Sequence, residues 1–279
     1  MINKVSKMQY CLINGQQENK IAINDRALAY GDGIFTTAKI HHGQVEFLSA
    51  HLNRLITGCR YLGFELNTEQ LQEEIALALQ HSKNLPCFSH GVLKVIVSAG
   101  SGGRGYSRNG LQSEHRIITL HDLPQHYSTW AEQGINLVNG KLQLGLNPLL
   151  KGLKHLNRLE QVMIRAELDK TLADDLLVSD IQGYVIESSC ANVFWFKDNV
   201  LYTPIINDAG ILGLYRQHII KFDPQVKEVH TTYSDIKTAE AMFICNSVMG
   251  ITPVKTYQQK LLDISKVTEY KKRFLASLV

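Results

Sequence analysis

Lys154 stands just ahead of a stretch whose apolar residues, Leu159, Val162, Met163 and Ala166, recur at helical spacing, within Gly152-Leu153-Lys154-His155-Leu156-Asn157-Arg158-Leu159-Glu160-Gln161. An amine there is either a solvated cation or a group poised for Schiff-base chemistry, which needs a nitrogen that can be neutral at working pH. Partial burial or a nearby positive charge such as Arg158 supplies that condition. Spacing alone leaves both readings open. A second stretch, Gly100-Ser101-Gly102-Gly103-Arg104-Gly105, has the form G-x-G-x-x-G after a strand-like run, the pattern of a dinucleotide-binding turn. The next residues, Tyr106-Ser107-Arg108-Asn109-Gly110, are turn-forming, so no helix N-terminus is on hand for a pyrophosphate. The segment reads instead as a flexible loop that brings Arg104 and Tyr106 to a ligand, with a guanidinium fork suited to a carboxylate, or as an ordinary glycine turn with a solvated arginine.

The elements that must position these side chains are legible in outline. Tyr10-Cys11-Leu12-Ile13, the Asn14-Gly15 dipeptide and Ile21-Ala22-Ile23 read as a hairpin, with a strand over 34–40 after it. Leu48, Leu52, Leu55, Cys59 and Leu62 mark one face of a helix that carries His51 and Arg54. Asn67 with Gln70 resembles a cap for a second helix through Leu71, Ile75 and Leu79. The next strands are expected over 92–98 and 116–120. The polar stretch His121-Asp122-Leu123-Pro124-Gln125-His126 reads as a linker, which divides the chain into an N-terminal α/β domain (1–122), a connection (123–128) and a C-terminal α/β domain (129–279) carrying Lys154. Further strands are expected near 135–138, 175–178, 193–196 and 242–245, and helices over 156–172, 213–221 and 265–278. The fold class is therefore mixed α/β, of the α+β kind, in two domains.

Composition narrows the function classes. At 279 residues, 44% apolar and 20% charged, the chain is a globular protein of a size that favours two cores. A net charge of +3 gives no basis for a nucleic-acid or polybasic membrane partner and leaves room for a small anionic substrate. The five cysteines, Cys11, Cys59, Cys87, Cys190 and Cys245, are scattered and show no metal-like spacing, which fits a reducing cytoplasm, and no metal is expected. No apolar run is long enough to span a bilayer, and Met1 to Gln9 lack a signal core, so neither export nor membrane anchoring is expected.

Taken in order, Asp25-Arg26, Tyr30-Gly31-Asp32-Gly33-Ile34-Phe35, His51-Leu52-Asn53-Arg54-Leu55, Lys154-His155-Leu156-Asn157, Glu187-Ser188 with Asn192, and Gly213-Leu214-Tyr215-Arg216 resemble the branched-chain aminotransferase-like family. These are pyridoxal 5'-phosphate enzymes of fold type IV, with a D-amino acid aminotransferase-like fold. The resemblance runs from about Tyr10 to Val254. It implies that Lys154 holds the cofactor covalently and then moves protons, and that Glu187 pairs with the pyridine nitrogen and keeps it protonated. It further implies that Arg54, the backbone amides of Leu214 and Tyr215, and the Ser247 hydroxyl bind the phosphate. Arg104 and Tyr106 correspond to the substrate-facing loop.

Two departures from the aminotransferase pattern stand out. Thr37, in the stretch Phe35-Thr36-Thr37, departs from the Phe-Glu pattern common in aminotransferases and is expected to face the substrate, where the absence of a carboxylate removes like-charge repulsion against a dianion. The tyrosine that aminotransferases often place soon after the lysine is absent. Gly100 to Ser107 and Lys154 to Gln161 look most like the lyase members, which implies conversion of 4-amino-4-deoxychorismate to 4-aminobenzoate and pyruvate. A branched-chain or D-amino acid aminotransferase is the alternative, and a catalytically silent scaffold is a second one, against which Lys154, Glu187 and Arg54 speak. The resemblance also implies a homodimer acting on a small-molecule substrate.

Overall fold

A computed structural model describes residues 8–278 and divides into two compact units. One holds the chain up to Pro124 together with Lys154–Asn157; the other holds Gln125–Leu153 and everything from Arg158 onward. Lys154 thus groups with the N-terminal unit, although its place in the sequence puts it within the C-terminal domain. Residues 1–7 and 279, the outer ends of the two expected domains, lie outside the described residues.

The first unit contains β1 (Met8–Ile13), α1 (Arg26–Tyr30), β2 (Gly33–His41), β3 (Gln44–Val45), α2 (Leu48–Tyr61), α3 (Thr68–His81), α4 (Pro86–Ser89), β4 (His90–Ser98) and β5 (His115–Asp122). Its strands form one antiparallel sheet in the order β1-β5-β4-β2-β3. The period of two decides what each face does. In β2, Ile34, Thr36, Ala38 and Ile40 are buried, whereas Phe35, Thr37 and Lys39 are only half-buried on the opposite face. The apolar stripe of α2 packs on β2, burying Leu52, Leu55 and Cys59. A hydrogen bond of 2.6 Å between Thr36 Oγ1 and His51 Nδ1 pins helix to strand. α3 starts where its cap predicts, with the Gln70 amide donating to Asn67 Oδ1 at 3.1 Å.

The expected hairpin is only half present. β1 turns at Asn14-Gly15, but its ladder partner is β5, and 21–23 is not a strand. Among the described residues the outer edge of β1 stays unpaired in the sheet, but Ile23 is 88% exposed, so the run has no apolar packing to hold it as a strand.

The second unit contains α5 (His126–Gln133), β6 (Ile135–Asn139), α6 (Leu159–Leu168), β7 (Asp175–Ser179), β8 (Val185–Ser188), β9 (Asn192–Lys197), β10 (Val200–Pro204), α7 (Leu214–Phe222), β11 (Lys227–Val229), α8 (Tyr233–Ile236), β12 (Ala241–Asn246), β13 (Gly250–Tyr257), β14 (Lys260–Leu261) and α9 (Ile264–Ala276). Its mixed sheet runs β11-β10-β9-β12-β13-β6-β7-β8, with β14 beside β13. The pairs β10/β11, β13/β6 and β6/β7 are parallel. Central strands are apolar on both faces, and Phe194 stacks on Phe243 with ring centroids 5.0 Å apart, under Tyr270 of α9. Two expectations shift. Residues 126–128, read as linker, open α5. The helix expected over 156–172 is confined to Leu159–Leu168, because the residues just before it pair as extended chain.

Candidate active site

Lys154 is set by backbone pairing to the free edge of β2. The Phe35 amide donates to Lys154 O at 3.0 Å and the Leu156 amide donates to Gly33 O at 3.0 Å, with a bridge between Ile34 and His155. Asn157 closes the segment by donating from Nδ2 to Gly31 O at 3.0 Å. Gly31 has φ of 62°, and a Cβ there would lie 2.7 Å from Asn157 Oδ1, so only glycine serves. The register brings Lys154 Nζ over the Phe35 ring, 4.4 Å from its centroid. Phe35 and Thr37 share a face two residues apart, and Thr37 pairs across the ladder with Lys94. Lys94 Nζ lies 5.5 Å from the same ring, and burial pushes its pKa down. This face therefore gathers Lys154, Thr37 and Lys94. Sequence reasoning missed Lys94, since a lysine in an alternating strand looks like a solvated outward residue; only the register reveals it.

Arg54 lies on α2, one turn beyond the pinned His51. It is half-buried, and the loss of water pushes its pKa down to about 10. A guanidinium so desolvated is stabilised by a bound anion.

The glycine loop is not a nucleotide cradle. Arg104 is exposed and Tyr106 is 88% exposed, with its ring against Tyr30 at 5.5 Å. Beneath them, buried Arg26 donates to the carbonyls of Gly105, Tyr106 and Ser107 at 3.1, 3.1 and 3.2 Å, and to Asp32 at 2.8 Å. Arg108 completes the clasp by donating to Asp32 and to Leu62 O. Asp25 caps α1 and also accepts from Ser98 Oγ and His115 Nδ1, so the entry to the clasp is fixed as well. Burial raises the Asp32 pKa, but the hydrogen bonds and charges of Arg108 and Arg26 outweigh it and hold the carboxyl below its usual range. The stability that this carboxylate contributes is therefore complete at neutral pH and is lost as pH falls through the depressed value. Asp32→Asn is expected to cost about 2 kcal/mol at pH 7. In melts at falling pH the gap between variant and wild type should close; a gap independent of pH would contradict this role.

In the second unit, Glu187 sits buried on β8, and its Oε2 accepts from the Ile211 amide at 3.0 Å. Burial lowers the pKa of Arg158, and the negative charges of Glu187 and Glu160 oppose that. α7 begins at Leu214 after Gly213, which offers no side-chain cap. A Cβ at Gly213 would collide with Asn192 Oδ1, while Asn192 Nδ2 donates to Ile211 O at 3.0 Å. The first amides of such a helix point outward toward any anion. The Tyr215 side chain is buried against Phe274, so its backbone is the part available for this role. Ser247 lies in the turn between β12 and β13, whose shape Asn246 fixes by accepting from the Val248 and Met249 amides. Cys245 pairs with Asn192, and the Tyr215 hydroxyl would lie 3.2 Å from a Cβ at Gly250, so this turn and the start of α7 are neighbours. Seven of the nine expected residues thus fall into local groups within their own unit, Lys154 with Thr37, Arg104 with Tyr106, and Leu214 and Tyr215 beside the turn of Ser247, whereas Arg54 on α2 and Glu187 on β8 join none of these groups.

The chain is similar to known proteins over most of its length. The family model described as amino-transferase class IV matches residues 33–257. An aminodeoxychorismate lyase from Vibrio harveyi is 35% identical over 249 residues, covering 87% of this chain and 89% of that protein. The crystal structure of 4-amino-4-deoxychorismate lyase from Pseudomonas aeruginosa superposes with a TM-score of 0.86 at 31% identity, covering 96% of this chain and 98% of that one. A D-alanine aminotransferase from Staphylococcus aureus strain N315 is 24% identical over 268 residues, covering 93% of each chain. With the family model spanning most of its length, the chain belongs to the class IV aminotransferase family, the pyridoxal 5'-phosphate enzymes of fold type IV.

Proposed function

We propose that this protein is a pyridoxal-phosphate-dependent lyase that converts 4-amino-4-deoxychorismate to 4-aminobenzoate and pyruvate, a step toward folate. The residues fit the cofactor. Lys154 offers an amine on a rigid strand edge, desolvated Arg54 and the uncapped start of α7 suit a phosphate, and buried Glu187 suits a protonated ring nitrogen. Ser247 adds a hydroxyl to the phosphate side. When bound, the cofactor supplies an electron sink for a carbanion at the carbon bearing the substrate amine. Lys154 Nζ takes the proton from that carbon, and Glu187 holds the proton on the ring nitrogen. The enolpyruvyl group leaves from the neighbouring carbon as the enolate, the ring becomes aromatic, and the enolate takes up one proton at carbon, equivalent to the one Lys154 removed, to give pyruvate. Lys154 would hold the cofactor again once 4-aminobenzoate is released.

The observation that carries the lyase reading is the sheet face around Lys154. Positions 35, 37, 94, 96, 117 and 119 bear no carboxylate, and Lys94 stands opposite Thr37. A substrate with two carboxylates meets Lys94 and Lys154 there, and none of these six positions sets a like charge against it. Arg104, on the clasped loop, receives one of these carboxylates, and Tyr106 lies against the same ligand. Arg104→Ala is expected to raise KM about tenfold or more while leaving cofactor occupancy unchanged; equal loss of cofactor would defeat the assignment. The competing aminotransferase reading is tested by supplying L- or D-amino acids with a 2-oxo acid. The lyase reading expects turnover far below that with 4-amino-4-deoxychorismate, and the reverse order would overturn it.

The protein is further read as a homodimer. Leu159, Val162 and Met163 form an exposed apolar stripe on α6, which supports a subunit contact there. No described helix is long and apolar enough to cross a membrane. The scattered cysteines, none of them in a disulfide, support a reducing, cytoplasmic setting.

A further inference from the structure

We propose that His41, His42 and His90 form a surface site for one divalent transition-metal ion of the zinc, copper or nickel class. The three come from the end of β2, the turn after it and the first residue of β4, and His41 and His90 are cross-strand partners at the last rung of the ladder. Their ligating nitrogens lie within 4.8 Å of one another, and all three residues are exposed. Ring centroids are 4.3 Å apart for His41 and His42, 5.1 Å for His41 and His90, and 5.4 Å for His42 and His90.

The backbone holds the group together. The His42 amide donates to Ser89 O at 2.9 Å and the Gly43 amide donates to Phe88 O at 2.8 Å, which ties the turn to the start of β4. His42 has φ of 48°, in the left-handed region, and that conformation aims its ring at the other two. A tetrahedral ion with bonds of about 2.0–2.1 Å spaces its donors about 3.4 Å apart, a distance that small rotations of exposed rings can reach.

Bunching three imidazoles at an exposed strand end gains little packing and brings like charges together when the rings are protonated. Neutral imidazoles present lone pairs, and a set of three nitrogens with no thiolate selects borderline ions over calcium or magnesium. Glu46 is paired with Lys39 at 2.9 Å, so the fourth position falls to water. The site lies on the first unit's sheet, in residues to which no step of the proposed reaction is assigned.

The test uses the untagged, cofactor-loaded protein, stripped with a chelator and then equilibrated with Zn2+ alone. Because the cofactor can itself chelate metals, the readout is the difference between wild type and His41→Gln/His42→Asn/His90→Gln. Asparagine is chosen at position 42 because it tolerates positive φ. Wild type should bind one more ion per chain than the triple variant, and each single substitution should weaken that ion on the order of tenfold or more, since even losing a group behind a ligand costs that much. Cu2+ loaded in place of Zn2+ should show coupling to several imidazole nitrogens that declines with each ring removed. Should the triple variant fail to fold, the single variants carry the same comparison. Equal stoichiometry and affinity in wild type and variants would overturn the site.

Discussion

Lys154→Ala is expected to purify without covalently held cofactor and to form 4-aminobenzoate at least about 10^3-fold more slowly than wild type, because the proposed reaction uses this one amine as both attachment point and proton carrier. The fold should survive. What fixes the segment is its backbone, through Phe35, Gly33 and the Asn157 contact with Gly31, and none of these bonds uses the lysine side chain. An added primary amine should restore part of the rate in the variant if only the proton-carrying group is missing. Turnover close to wild type would remove Lys154 from the reaction.

Glu187→Gln should be the second most damaging change, with turnover falling on the order of 10^2–10^3-fold, the cost typical of deleting one preorganised electrostatic contact. Glutamine keeps the volume and can still accept from the Ile211 amide, so local structure should persist. What disappears is the negative charge that keeps a ring nitrogen protonated. The groups proposed to bind the phosphate lie elsewhere on the chain, at Arg54, at the start of α7 and at Ser247, so cofactor occupancy should fall far less than turnover. Steady-state rates beside cofactor content measure both, and unchanged turnover, or loss of cofactor in proportion to rate, would contradict the role given to Glu187.

Single elements with one clear period were legible in the sequence. α2 and α3 begin and end close to where their apolar faces and the Asn67 cap indicate, because one face of each meets a sheet and nothing competes for it. Short elements were not. β8, β10 and β11 have too few residues to show a period, and 21–23 looks like a strand until its exposure is seen. The segment before α6 shows how tertiary pairing overrides local preference, since the edge of β2 captures Lys154 to Leu156 as extended chain and delays the helix.

The site divides in the same way. Lys154, Glu187 and Arg54 stand out as an ordered set, whereas each alone resembles a surface charge. Arg26 and Asp32 were visible within that set without a role; the structure gives them one, as the clasp under the Arg104 loop. Lys94 and Arg108 carried no signal in the sequence, because their partners are distant in the chain and are found only through strand register and loop closure.

The most direct measurement is a single incubation of the cofactor-loaded protein with 4-amino-4-deoxychorismate, with no 2-oxo acid present, tracking 4-aminobenzoate and pyruvate together. The lyase account predicts that both accumulate in equal amounts over many turnovers. Conversion that stops after one equivalent per site, resumes only when a 2-oxo acid is added and releases no pyruvate would contradict it and identify an aminotransferase.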